Sequence, residues 1–180
     1  MERKFHQISI AGLTRNLPIV RIGEKLSIAV LIMLTDVELT VNCARELLKL
    51  TPEFDVIITA EAKGIPLAYE MARQSGTDYV VARKNHKLYM TAPIEVTVQS
   101  ITNSNLQKLY LDYDDVAKLN GKKVLIADDV ISNGGSVGAL EEMVALSNGT
   151  VVAKAAALAE GAACERGDII YLDEIPLFFD

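Results

Sequence analysis

VLIADDVISNGGSV, Val124 to Val137, is the stretch on which the fold turns. Lys123–Ala127 (KVLIA) brings in a short, continuous apolar run, the pattern of a parallel strand covered on both faces. Two adjacent carboxylates, Asp128 and Asp129, come next, followed by Val130 and Ile131. A small polar loop, Ser132-Asn133-Gly134-Gly135-Ser136, then opens a helix predicted over Ser136–Leu146. The two glycines let backbone amides approach an anion with no Cβ in the way. The helix start contributes its positive dipole end, and the hydroxyls of Ser132 and Ser136 can donate to phosphate oxygens. Strand, loop and helix joined in this order form a phosphate cup. The chain contains neither GxxxxGK followed by Ser or Thr nor GxGxxG, so neither a P-loop nor a dinucleotide fingerprint is claimed.

Outward from this unit the pattern repeats. Leu26–Leu34 (LSIAVLIML) and Asp55–Ala60 (DVIITA) read as buried strands, and Asp78–Arg83 and Val151–Leu158 as two more. Thr35 and Glu38 have the spacing of a capping box, which predicts a helix running to about Leu50, and a second helix is expected over Ile65–Gln74. Val96–Ile101 and Leu106–Leu111 flank an Asn103-Ser-Asn105 turn and suggest a hairpin. Strands alternating with helices imply an α/β fold, a mostly parallel sheet flanked by helices, with ligands beyond the carboxyl ends of the strands.

Composition bounds the rest. The 180 residues suit one domain, and 50% hydrophobic with 23% charged residues is the balance of a chain with a sizeable core. With 18 Lys and Arg against 24 Asp and Glu, the net charge of −6 argues against a protein that coats nucleic acid or an anionic membrane. Leu26–Leu34 is roughly half a membrane span, and the N-terminus, MERKFHQI, reads as the start of a strand rather than a leader. Cys43 and Cys164 match neither a CxxC pair nor a zinc set, so packed, reduced thiols and a cytoplasmic address are expected.

From Val124 to Val137 the chain resembles the phosphoribosyl-pyrophosphate (PRPP) signature of the type I phosphoribosyltransferases, and the resemblance extends over about Pro52 to Glu160. It implies that Asp128 and Asp129 hold the ribose hydroxyls of PRPP and are the catalytic pair, while Val130 to Ser136 complete the ribose and 5′-phosphate site. A second landmark, Thr59-Ala-Glu61-Ala62-Lys63-Gly64 at the carboxyl end of DVIITA, falls where the family places its pyrophosphate loop; adenine phosphoribosyltransferases carry Glu-Ala-Arg-Gly over Glu61 to Gly64, so Lys63 keeps the charge and loses the bidentate fork. A third, Arg83-Lys84-Asn-His-Lys87-Leu-Tyr89, matches the family's basic pyrophosphate-facing segment and the start of a mobile loop, with Arg83, Lys84, Lys87 and Tyr89 as the candidates. The proline- and glycine-rich hood of the adenine enzymes is absent from it.

Leu17 to Thr40 is similar to the N-terminal part of bacterial adenine-phosphoribosyltransferase-like proteins. There the resemblance implies a hood over the base, with Pro18, Ile19, Val20 and Arg21, together with Val130, as base-binding candidates. A single domain over residues 1–180 is expected, its core at about 26–160 and its hood built from about 1–25 and C-terminal residues. The implied activity is purine phosphoribosyl transfer, most like the adenine enzymes: PRPP plus base gives nucleoside monophosphate plus pyrophosphate, as in purine salvage. Mg²⁺ would be carried in by PRPP rather than held at a protein metal site, and a homodimer is expected. The alternatives are a xanthine- or guanine-type transferase and a non-catalytic PRPP-sensing regulator.

Overall fold

The computed structural model describes residues 3–98 and 107–179. Its centre is a five-stranded parallel sheet in the order β10-β9-β8-β4-β5. These strands are β4 (Val56–Ala60), β5 (Asp78–Ala82), β8 (Lys123–Ile131), β9 (Thr150–Glu160) and β10 (Ile170–Ile175). Every residue of β4 is buried, as its unbroken VIITA run requires of a strand between two neighbours and under two layers. On one face α1 (Val37–Leu48) and α2 (Ile65–Ser75) bury Leu39, Cys43, Leu47, Leu67 and Met71. On the other, α4 (Gly135–Leu146) buries Val137, Leu140, Met143 and Val144. Side chains of this size contribute about 1.5–3 kcal/mol each when fully buried, so α4, with no charged residue in its first or last turn, is held chiefly by packing.

Three expectations are corrected. The run Leu26–Leu34 does not enter the parallel sheet: only β3 (Leu26–Ala29) is a strand, in an antiparallel sheet ordered β1-β2-β3-β11 with β1 (Phe5–Ile10), β2 (Leu13–Arg21) and β11 (Leu177–Phe179). Leu31 and Met33 are still buried, in irregular chain, so their apolarity reflects packing and not a ladder. The capping box is not used either. Asp36 caps α1, its Oδ1 accepting from the Leu39 amide at 3.0 Å, because Arg15 of β2 donates to its carboxylate at 2.6 and 3.1 Å and also reaches Glu38 at 2.8 Å. That bond between strand and helix takes Glu38 away from a capping role and fixes the antiparallel sheet to the start of α1. Finally, β8 does not stop at Ala127; its pairing with β9 runs on through Asp128, Val130 and Ile131.

The hairpin strands are present as β6 (Ile94–Val98) and β7 (Gln107–Leu111), with Val96 opposite Leu109. The Asn103-Ser-Asn105 turn lies outside the described residues. The short helix α3 (Tyr113–Leu119) follows β7. A two-way backbone bridge between Arg83 and Tyr110 joins the end of β5 to β7. At the opposite edge, β10 has only β9 as a partner, and the Glu174 amide donates to the Asp173 carboxylate at 2.9 Å. No helix among the described residues is long and apolar enough to cross a membrane. Burial pushes the Cys43 thiol up to about 12, so it is a packing group and not a nucleophile.

Candidate active site

Three segments reach the carboxyl end of the parallel sheet from different parts of the chain. Asp128 and Asp129 sit at successive positions of β8, so the pleat sends them to opposite faces. Asp129 is 3% exposed. Its Oδ2 accepts from the Lys63 ammonium at 2.6 Å, across 66 residues of sequence, and this contact brings the second landmark onto the carboxylate pair. Asp128 is partly open to solvent and accepts from the Asp129 amide at 2.9 Å. Desolvation first, and the Asp129 charge and hydrogen bond next, hold the Asp128 carboxyl well above the usual carboxylate range; Lys63 offsets only part of this.

The loop before α2 passes so close to β8 that only glycine fits at position 64. A Cβ there would lie 2.4 Å from Thr59 Oγ1, 2.8 Å from Asp128 Oδ1 and 3.2 Å from Asp128 Cα. Glu61 joins this loop to the third landmark. Its amide donates to the Ala82 carbonyl at 2.9 Å, its carboxylate accepts from the Lys84 amide at 2.9 Å, and Arg83 and Lys87 each bring a cationic nitrogen within 3.9 Å of it. Arg83, Lys84 and Lys87 are thus gathered about one acid, while Tyr89 remains 65% exposed and Ala62 is at the surface.

Below the carboxylates, Asp128 and Val130 to Val137 line a cup of about 40 Å³. Gly134 has φ +79°, a conformation that side-chain-bearing residues rarely adopt, and it caps α4. The Asn133 carboxamide oxygen accepts from the Gly135 amide at 3.2 Å, folding the loop back on itself. Ser136 is exposed and Ser132 partly so.

Pro18, Ile19, Val20 and Arg21 belong to β2, in the antiparallel sheet. The Ile19 amide donates to the Lys4 carbonyl and the Pro18 carbonyl accepts from the Val30 amide, so those two backbone groups are already committed to the sheet. Val20 is 45% exposed, and Arg21 is bonded to the carbonyls of Gly23 and Glu24.

Glu160 and Arg166, not singled out in the sequence, complete the surroundings together with Thr59 of the second landmark. Thr59 Oγ1 and Glu160 Oε1 are buried with no hydrogen-bond partner among the described residues. Desolvation raises the Glu160 carboxyl above its ordinary range, with Lys63 the opposing charge. Arg166 lies against Gly134, its Nη1 2.5 Å from where a Cβ on that glycine would be. Glu160 ends a largely apolar strand, a position that could have drawn attention; Arg166 stands in a charged surface stretch and carries no such signal.

The sequence pattern of the phosphoribosyl transferase domain matches residues 38–176. The chain belongs to that family. It is 38% identical over 104 residues to the adenine phosphoribosyltransferase of Thermotoga sp. (strain RQ2), a stretch covering 57% of this chain and 58% of that protein. It is 36% identical over 112 residues to the hypoxanthine/guanine phosphoribosyltransferase of Methanothermobacter thermautotrophicus, covering 62% of this chain and 54% of that one. The chain therefore spans little more than half the length of these relatives. Among solved structures, the adenine phosphoribosyltransferase of Thermoanaerobacter pseudethanolicus superposes with a TM-score of 0.68 at 25% identity, covering 78% of this chain and 83% of that one. The type I phosphoribosyltransferase fold is thereby established, with the parallel sheet and flanking helices described above.

Proposed function

We propose that this chain is a cytoplasmic purine phosphoribosyltransferase, transferring the 5-phosphoribosyl group of PRPP to adenine and releasing AMP and pyrophosphate. One observation carries the reading: a carboxylate pair, a glycine-built phosphate cup and a cationic loop meet at one strand end, although their residues are far apart in sequence. In this reading the cup of Ser132 to Ser136 takes the 5′-phosphate, Asp128 and Asp129 accept from the ribose hydroxyls, and Lys63, Arg83, Lys84 and Lys87 face the pyrophosphate.

Breaking the C1–pyrophosphate bond leaves positive charge on the ribose and negative charge on the leaving group, so the chain's task is to hold both charges in place. Lys63 shields Asp129 before ligand arrives and is next to the departing anion afterwards. The adjacent carboxylates favour a positively charged ribose once Asp128 gives up its proton. Of the carboxylates here, Asp129 is already paired with Lys63, and Glu61 lies within 3.9 Å of Arg83 and Lys87. That donor set suits Mg²⁺ carried by PRPP oxygens, where the ion supplies further neutralisation of the pyrophosphate. Exposed Ile32, Leu34 and Val37 beside the start of α1 support a homodimer.

The relatives include hypoxanthine/guanine enzymes, so those bases form the second reading. Incubating the protein with PRPP, Mg²⁺ and each of adenine, hypoxanthine, guanine and xanthine, with nucleotide and pyrophosphate both assayed, tests the two readings. Equal nucleotide and pyrophosphate from adenine alone is expected. PRPP binding with no nucleotide from any base would leave a sensor and refute the enzyme.

A further inference from the structure

The phosphate cup has no positive side chain of its own: Ser132-Asn133-Gly134-Gly135-Ser136 offers amides, hydroxyls and a helix start to a group that carries close to two negative charges. A cation from another element, Arg166, lies against Gly134 of the cup, outside the residues that line it. Arg166 follows β9 and a single turn of 3₁₀ helix, Gly161–Glu165, and its guanidinium is held on one side only. Nε donates to Asp168 Oδ1 at 2.9 Å and Nη2 to Asp168 Oδ2 at 2.8 Å, a bidentate fork that fixes the plane of the group. Asp168 is in turn bound by Lys154 at 2.7 Å, and Lys154 reaches Glu141 of α4 at 2.5 Å. The remaining nitrogen, Nη1, makes no hydrogen bond among the described residues and rests over Gly134.

We infer that Arg166 is a side-chain ligand of the 5′-phosphate, held by Asp168 so that Nη1 donates into the cup at Gly134. The inference rests on the PRPP reading of that cup. It also explains the glycine on a second ground besides its φ of +79°: any side chain at position 134 would occupy the place of the guanidinium nitrogen. Along Glu141, Lys154, Asp168 and Arg166 the charges alternate and end with the cation at the cup, so the acid that orients Arg166 is itself neutralised from behind.

The whole chain, wild type and Arg166→Gln, is titrated calorimetrically with ribose 5-phosphate, with pyrophosphate and with PRPP plus Mg²⁺, and the melting temperature of each unliganded protein is recorded. Arg166→Gln is expected to weaken ribose 5-phosphate and PRPP by roughly ten- to a hundred-fold, the size of one charge-assisted hydrogen bond, and to leave pyrophosphate affinity unchanged. Arg166→Lys should recover part of the loss, and Asp168→Asn should show a smaller loss of the same selectivity. Unchanged ribose 5-phosphate binding in Arg166→Gln overturns the inference while leaving the PRPP reading intact. An equal loss for pyrophosphate, with a lowered melting temperature, makes Arg166 a structural residue and also overturns it. If the wild-type protein binds neither phosphoribosyl ligand, the reading of the cup itself is wrong and the inference goes with it.

Discussion

Gly64→Ala tests how tightly the Lys63 loop must lie on the strand that carries the carboxylates. Gly64 has φ −72° and ψ −16°, an ordinary helical conformation, so alanine meets no backbone strain and should gain about 0.4–1 kcal/mol from a less flexible unfolded chain. Against this stands the added methyl, 2.4 Å from Thr59 Oγ1, 2.8 Å from Asp128 Oδ1 and 3.2 Å from the Asp128 backbone. Restoring an ordinary contact of 3.4 Å at Thr59 needs a movement of 3.4 − 2.4 = 1.0 Å. Overpacking of that kind costs about 1–3 kcal/mol, for a net loss of up to about 2.6 kcal/mol and a melting temperature lower by up to roughly 10 °C. The functional effect should exceed the stability effect. A displacement near 1 Å at a positioned charge costs on the order of a hundred-fold in rate, and here it separates Lys63 from Asp129. Thr59→Ala removes one of the crowding atoms, so the double variant should be more stable than the two single losses predict, with a coupling of about 0.5–3 kcal/mol. Differential scanning calorimetry and initial rates of AMP formation read both effects. A Gly64→Ala protein with wild-type melting and wild-type rate, or with no coupling to Thr59→Ala, would show that the close approach is not real.

Other expectations are simpler. The raised Asp128 and Glu160 carboxyls bind protons more tightly folded than unfolded, so their contribution to unliganded stability is fullest below about pH 4 and is lost as pH rises toward their folded values; Asp128→Asn should remove its part of that loss from thermal melts, and a pH dependence unchanged by the substitution would refute the assignment. PRPP with Mg²⁺ should displace the Asp128 proton, seen as buffer-dependent heats in calorimetry at pH 7. Lys63→Met leaves the buried Asp129 carboxylate without its cation and should lower stability by about 1–3 kcal/mol as well as slowing transfer, whereas Lys63→Arg should keep both largely intact. In the cup, Gly134→Val should abolish PRPP binding through both its backbone conformation and the space it fills, while Ser136→Ala, losing one hydroxyl donor, should weaken it by roughly ten- to a hundred-fold; the reverse ranking would sink the backbone-cradle model.

What could be read along the chain was whatever depends on neighbours in sequence. The run from Lys123 to Ser136 holds strand, acids, cup and helix start within one unit, and each follows from local pattern. Long-range contacts were out of reach. Asp36 displaces Thr35 as the cap only because Arg15 arrives from β2, and Leu26–Ala29 leaves the parallel sheet only because β2 and β11 flank it. Apolarity says that such a segment is buried, not which ladder it joins. Lys63 is visible in sequence as a cation beside a glycine, but its partner Asp129 is set by the fold. The commitment of the Pro18 carbonyl and Ile19 amide to the sheet needs the pairing register, which no local pattern of β2 contains.

The edge strand β10 bears on how copies of this molecule can meet. An open edge of a parallel sheet offers unpaired amides and carbonyls to any strand that comes near. On β10 the Glu174 amide is already taken by the Asp173 carboxylate, the two acids stand side by side, and Pro176 beyond them has no amide to give. A second molecule paired about a two-fold axis at Asp173 and Glu174 would set these carboxylates against their own counterparts, and like charges directly opposite are destabilising. The β10 edge therefore resists the addition of a further strand.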